Sequence, residues 1–377
     1  GITNNSGGTI SNITLASSNT INNGITNDGN IGEITSNLDN INNIITNSGT
    51  INDLVVSKGT ITYVDNNGVV DTLLQVENGA TLKMGASGNG TITIGSDLGS
   101  VLDLKQGSTF EGNLRNASAI KKWDNLSNIQ GSFINASGAS VVDLIAGEIR
   151  DNLLNEGEIT NLTINKNISG TLINDNGGVI NTLVVENGSN INNGITNAGD
   201  ITTLIASGNV TNGITNNSNI DTLTINANAN LGSGITNNSN IGSLDLQENV
   251  TYDGSGSITN ALDIAGTKTL TATNNGINIL FANGATGTIN NAGIIDGSLT
   301  NTASSTIKSF NTGSITGSIT NSGSIQTLNV NDTIAGITNS QTIDSLKVDS
   351  SITNGITNAG TITTLTNNQA NTNITNN

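Results

Sequence analysis

Asp143, Glu148, Asp151, Glu156 and Glu158 crowd one short segment of a 377-residue chain that contains no histidine and no cysteine. Carboxylates are the groups left for acid–base work, and a pair of them hydrolyses glycosides when one protonates the leaving oxygen and the other attacks or activates water. Sites of that kind also need aromatic platforms or basic residues, and this segment offers little beyond Arg150. A solvated acidic edge accounts for the cluster without chemistry. The missing imidazoles and thiols remove the neutral-pH base, the thiol nucleophile and the commonest transition-metal ligands together. No EF-hand loop or GGxGxD nonapeptide gathers oxygens for calcium. The glycine-rich stretch Gly85-Ala-Ser-Gly88-Asn-Gly90 precedes a strand pattern and not a helix, so it is not a phosphate loop. The sequence therefore reads as a non-enzyme, with no catalytic residue, metal or cofactor.

A formal charge of -17 with 11 basic residues disfavours nucleic acid and anionic membrane surfaces, since so few cations cannot neutralise a phosphate backbone. No apolar run approaches the roughly 20 residues that span a bilayer, and no signal-peptide pattern opens the chain. The candidate contact residues Arg115, Lys121, Lys122 and Trp123 lie in FEGNLRNASAIKKWDNLSN, residues 110–128, which holds the single tryptophan. That stretch predicts either a protruding loop that touches a partner or a short helix packing Trp123 and Phe110 inward. Asn-x-Ser/Thr triplets at Asn12, Asn116, Asn125 and Asn135 follow from composition alone.

Something has to position these residues, and the chain supplies it by repetition. GITN begins at Gly1, Gly24, Gly194, Gly213, Gly234, Gly336 and Gly355, with variants at Ile45, Ile258, Leu299 and Ile319, a period of about 20 residues. From the Ile of each ITN, apolar residues recur at offsets 6, 9, 11 and 15: Ile319 leads to Ile325, Leu328, Val330 and Ile334, and Ile45 to Ile51, Leu54, Val56 and Ile61. Those offsets break the 3–4–7 rule of a helical face, whereas the spacings of two, the Ile and Thr enrichment and the Gly/Asn/Ser clusters between them belong to strands and tight corners. Fixed offsets also exclude disorder, despite the low hydrophobic fraction of 33%. A single repeat cannot bury its own aliphatic residues, so successive turns must stack. The fold class is all-β, a single-stranded parallel β-helix or β-solenoid of about 20 residues per turn, with no proline because nearly every backbone N–H is needed in the ladders.

The chain divides into regular turns over 1–80, irregular turns over 81–150 and regular turns over 151–377, one continuous solenoid. Both ends fall within a repeat, which reads as a fragment of a longer chain. An asparagine closes each ITN, and Asn27, Asn47, Asn197, Asn216, Asn237, Asn260, Asn321, Asn339 and Asn358 are expected at left-handed corners, bonding their copies in a ladder. Phe281 and Phe310 in the looser zone 262–312 are expected in the core. Thr91 and Thr93 suggest an ice-binding array, but the offsets of such pairs drift along the chain.

Asn/Thr/Gly-rich turns of the form GITN-x-x-G/S-x-I-x-x-L-x-V/I resemble the passenger regions of large Gram-negative autotransporters, in particular adhesin and vacuolating-toxin-like passengers. The resemblance covers about 1–80 and 151–377. It implies a right-handed β-helix on the bacterial surface, anchored in the outer membrane through a region outside this sequence. It also implies an adhesin that attaches to a host glycan or protein, or to copies of itself, through repeated Asn/Thr/Ser faces. A passive stalk presenting another domain is the alternative, and a polysaccharide-acting β-helix enzyme a more distant one.

Overall fold

The computed structural model describes residues 1–16, 21, 23–37, 44–65, 67–85, 88, 90–94, 101–124, 128–273, 276–281, 287–370 and 372–377. They form two compact units, Gly1–Asp200 and Ile201–Asn377. Each unit is a stack of parallel β coils of about 20 residues, and the described residues contain no helix. The expected β-solenoid is thus the fold.

The apolar offsets become columns of the core. In the second unit Ile319 pairs with Ile337, Ile325 with Ile343, Leu328 with Leu346 and Val330 with Val348, and an isolated bridge joins Ile334 to Ile352. All of these side chains are buried. In the first unit Ile45, Ile51, Leu54, Val56 and Ile61 are each fully buried. Along these columns aliphatic side chains stack on equivalent ones about 4.8 Å apart, and each such burial is worth about 1.5–3 kcal/mol relative to exposure. At Gly24, Gly194, Gly213, Gly234 and Gly355 the step into the ITN strand is made through a left-handed residue. Gly234 has φ +73°, and a Cβ there would sit 2.1 Å from the Thr251 carbonyl oxygen.

The asparagines are interior, and this corrects their expected geometry. They end extended strands, and among the described residues only Asn67 and Asn228 of all asparagines have positive φ. The left-handed conformation belongs instead to glycines such as Gly234, so the asparagine's role is hydrogen bonding and not backbone tolerance. In the first unit Asn4 Nδ2 donates to Asn27 Oδ1 at 2.8 Å and Asn27 to Asn47 at 2.7 Å. A second series runs from Asn116 through Asn135, Asn155 and Asn174 to Asn197, with donor–acceptor distances of 2.7–2.9 Å. In the second unit Asn216 donates to Asn237 at 2.8 Å, and a further series links Asn301, Asn321, Asn339, Asn358 and Asn376 at 2.7–2.8 Å. The second amide hydrogen reaches a backbone carbonyl of the next coil, as from Asn321 to Thr342 O at 3.1 Å. Inside a series a buried primary amide thereby has partners for both its oxygen and its hydrogens, which offsets the desolvation it would otherwise cost.

Both tyrosines of the chain end a ladder. Asn47 Nδ2 donates to the Tyr63 hydroxyl and Asn237 Nδ2 to the Tyr252 hydroxyl, each at 2.9 Å. Burial pushes both phenols above the ordinary value of 10, Tyr252 to about 12, while the donated amide hydrogen pulls the other way. Where a ladder restarts, the preceding coil carries an aliphatic residue at that position. Ile94 pairs with Asn116 and Ile279 with Asn301, and the Asn301 Oδ1 atom is buried with no partner.

Two further expectations are corrected. Asn260 is not a ladder residue: it is exposed and donates to Ser243 Oγ at 2.9 Å. Its strand, Ser257–Ile264, pairs Ile258 with Ile241, so this ITN occupies the offset-6 strand, and a bulge opposite Gly242 accommodates the additional residue. The described residues of 110–128 form no helix or protruding loop either. Thr109–Glu111, Asn113–Asn116 and Ala119–Asp124 are ordinary solenoid strands, with residues 125–127, including Asn125, outside the described set. Trp123 takes the Leu position of the core, in register with Leu144, and stacks on Phe133 with ring centroids 4.4 Å apart. The apparent amphipathicity of that stretch is strand alternation distorted by one large core side chain. Phe281 and Phe310 are fully buried, as expected.

Candidate interaction site

Parallel register converts residues one coil apart in sequence into outward columns. In the first unit the strands Ala119–Asp124, Ser140–Ala146, Glu158–Ile164 and Val179–Val185 place Lys122, Asp143, Asn161 and Thr182 side by side. The neighbouring outward column brings Ile145 beside Thr163. Between the two columns lies an open depression of about 430 Å³ lined by these side chains over Leu144 and Leu162. Both leucines are buried, with Trp123 continuing the same core column.

Among the described residues the lining supplies one ammonium, one carboxylate, one amide and two hydroxyls beside an apolar Ile145 wall. Asn161 Nδ2 donates to Asp143 Oδ1 at 2.8 Å, which fixes the amide's orientation. Lys122 and Asn161 are exposed and Asp143 is half-buried.

Two of the sequence-derived groups of candidates thus meet here: Lys122 from the contact stretch and Asp143 from the acidic cluster. Trp123 is corrected as a contact residue, because it is wholly buried. Lys121 is exposed on the same strand, and Arg115 lies in the column that continues through Ile134, Leu154 and Ile173. The remaining carboxylates do not assemble a catalytic pair. Asp143 faces Lys122 and Asn161, Glu148 faces Asn128, and Glu158 faces Ser140 and Val179, while Asp151 and Glu156 lie in turns. No two of the five occupy facing positions. Among the described residues no group of three or more acidic side chains is placed to hold a metal ion.

Stacked carboxylates do occur elsewhere. Glu33 faces Asp53 in the first unit and Asp245 faces Asp263 in the second. Burial, and then the neighbouring carboxylate, raises Asp53 and Asp263 above their ordinary 3.8. At a corner of the second unit Glu248 is drawn down to about 2 by Lys268, whose ammonium donates to it at 2.8 Å, and by backbone N–H groups of Asn249 and Asn228. Sequence reading missed these arrangements because the partners are about 20 positions apart and carry no shared motif.

Asn116 and Asn135, two of the Asn-x-Ser/Thr triplets, are fully buried ladder members and present no acceptor amide at the surface. In the second unit Thr288, Ser309, Thr327, Ser345 and Thr364 form one continuous outward column. Asn290, Asn311 and Asn329 run beside it, with Asn329 Nδ2 donating to Asn311 Oδ1 at 2.8 Å. The drift in offset read from the sequence is absorbed by bulges, so the columns stay aligned.

No protein-family model, curated protein or solved structure matches the chain.

Proposed function

We propose that the chain is an adhesin of the autotransporter-passenger type, carried on the bacterial surface through a region outside this sequence. It attaches to a host glycan or protein, or to copies of itself, through outward polar columns held rigid by the solenoid. The observation that carries the reading is the aligned Thr/Ser and Asn columns of the second unit. Short side chains at fixed spacing lose little conformational entropy on contact, and weak hydrogen bonds repeated along a rigid face add through avidity. The dispersal of the five acidic candidates weighs against hydrolysis.

The test coats beads with the purified chain and measures adhesion to epithelial cells, to glycan-coated and protein-coated surfaces, and between beads. Adhesion or clumping without turnover of a polysaccharide panel supports the reading. Beads that neither adhere nor clump refute it.

A further inference from the structure

We propose that the depression between Lys122, Asp143, Asn161 and Thr182 is a binding site for the end of a neutral saccharide. This rests on the adhesion reading and names a partner class for it. Four features of the site select that chemistry. The chain carries a net charge of -17 and Asp143 stands in the lining, so anionic ligands gain nothing from approaching it. Its polar groups alternate in kind along the stack, one per strand about 4.8 Å apart: cationic donor, anionic acceptor, amide and hydroxyl. A sugar ring offers hydroxyls that donate and accept at comparable spacing. The Asn161–Asp143 hydrogen bond holds a carboxylate and an amide together as an oriented polar pair in the lining. Ile145 provides the apolar surface against which the C–H face of a ring packs, with Thr163 beside it. The volume of about 430 Å³ accommodates one or two sugar units and not a folded domain.

Asp143 accepts hydrogen bonds from two neighbouring hydroxyls, Asn161 bridges the next ring oxygen and hydroxyl, and Lys122 donates at the open end. Thr182 closes the opposite side. The chain's single tryptophan lies in the core column immediately under this surface, so occupancy has a built-in reporter.

The experiment titrates the full chain with a panel of methyl glycosides and β-linked disaccharides of glucose, galactose, mannose and N-acetylglucosamine. Trp123 emission and equilibrium dialysis are read together. Expected is saturable binding of at least one neutral saccharide, weakened about tenfold or more by Asp143→Ala and by Asn161→Ala, and blocked by Thr182→Arg, with circular dichroism and thermal midpoint unchanged. No retention of any panel member, undiminished binding in the Asp143→Ala/Asn161→Ala double variant, or preference for free amino acids or anionic sugars overturns the site. Bead adhesion of the same proteins separates the two readings. Wild type that adheres yet retains no saccharide rejects the site alone, and wild type that retains saccharide yet never adheres rejects adhesion alone.

Discussion

Asn321→Ala and Asn260→Ala remove the same residue from the same Ile-Thr-Asn string, yet the structure predicts very different costs. Asn321 is fully buried. It donates to Asn339 Oδ1 at 2.7 Å and Thr342 O at 3.1 Å, and accepts from Asn301 Nδ2 at 2.7 Å and Gly323 N at 3.3 Å. Alanine strands the Asn339 oxygen and one hydrogen of the Asn301 amide, which keeps Ser324 O at 3.2 Å. Stranded buried polar groups cost about 1–3 kcal/mol each, and the void adds to them, giving about 3–5 kcal/mol. Asn260 is exposed with one bond to Ser243, so its loss costs no more than about 0.5 kcal/mol. Stacked repeats need not unfold in two states, so the cost is read locally, by native-state hydrogen exchange of the strands Ser314–Asn321 and Ile334–Asn339. Protection there should fall roughly a hundredfold or more in Asn321→Ala. Equal losses in the two variants, or a loss below about 1 kcal/mol at Asn321, would refute the ladder as a stabilising element.

Tyr252→Phe takes the acceptor from Asn237 Nδ2 and should cost about 1–2 kcal/mol; spectrophotometric titration of the native wild type should show no tyrosinate near pH 10, and its appearance there in folded protein would contradict the buried assignment. Asp263 has its folded value raised by burial and by Asp245, so its contribution to stability is present at low pH and lost as pH rises through that raised value. Asp263→Asn should therefore raise the urea midpoint at pH 7, by less than about 1 kcal/mol after solvent screening, with the gain disappearing below the ordinary 3.8, and a pH-independent gain would be the wrong result. Gly234→Ala combines a positive φ with a backbone clash, whereas Gly138 has φ +79° and open space around its missing Cβ. The first should cost about 3 kcal/mol or more and the second about 1, as compared by thermal midpoint.

The solenoid was legible because it is written in single side chains at fixed offsets. Ile319, Ile325, Leu328, Val330 and Ile334 name five core columns without reference to any other coil. The ladder was legible only where its strand repeats the string ITN. Asn116, Asn135, Asn155 and Asn174 end NLR-Asn, FI-Asn, LL-Asn and LI-Asn, and the two residues before each asparagine vary because any large apolar residue fits the core and the one after it faces out. The conserved requirement is an asparagine two positions after a core residue and one coil from another, which a search for a tetrapeptide overlooks. Asn260 shows the converse error: the string is present, but its Ile258 pairs with Ile241 on the offset-6 strand and a bulge opposite Gly242 takes up the additional residue, so identity of letters did not mean identity of place.

The site is less legible than the fold for a reason built into parallel stacking. Lys122, Asp143, Asn161 and Thr182 become neighbours only through the pairing of four strands, and no two of them share a local segment. A linear scan instead gathered Asp143 with Glu148, Asp151, Glu156 and Glu158, which the fold distributes over strands and turns. In a solenoid, then, proximity in sequence marks residues that wind around one coil and point to different faces, while chemistry accumulates along the stacking direction at intervals of one period. Register must be assigned before charges and amides are grouped, and here the assignment depends on bulges such as the one at Gly242. Replacing Gly242 by a residue that suppresses the bulge should shift Thr259 and Asn260 relative to Ser243 while leaving the first unit's Lys122–Asp143–Asn161 column untouched. Cross-linking of cysteines introduced at positions 243 and 260 would read that shift, and unchanged cross-linking would mean the bulge is set by the strand's partners rather than by Gly242.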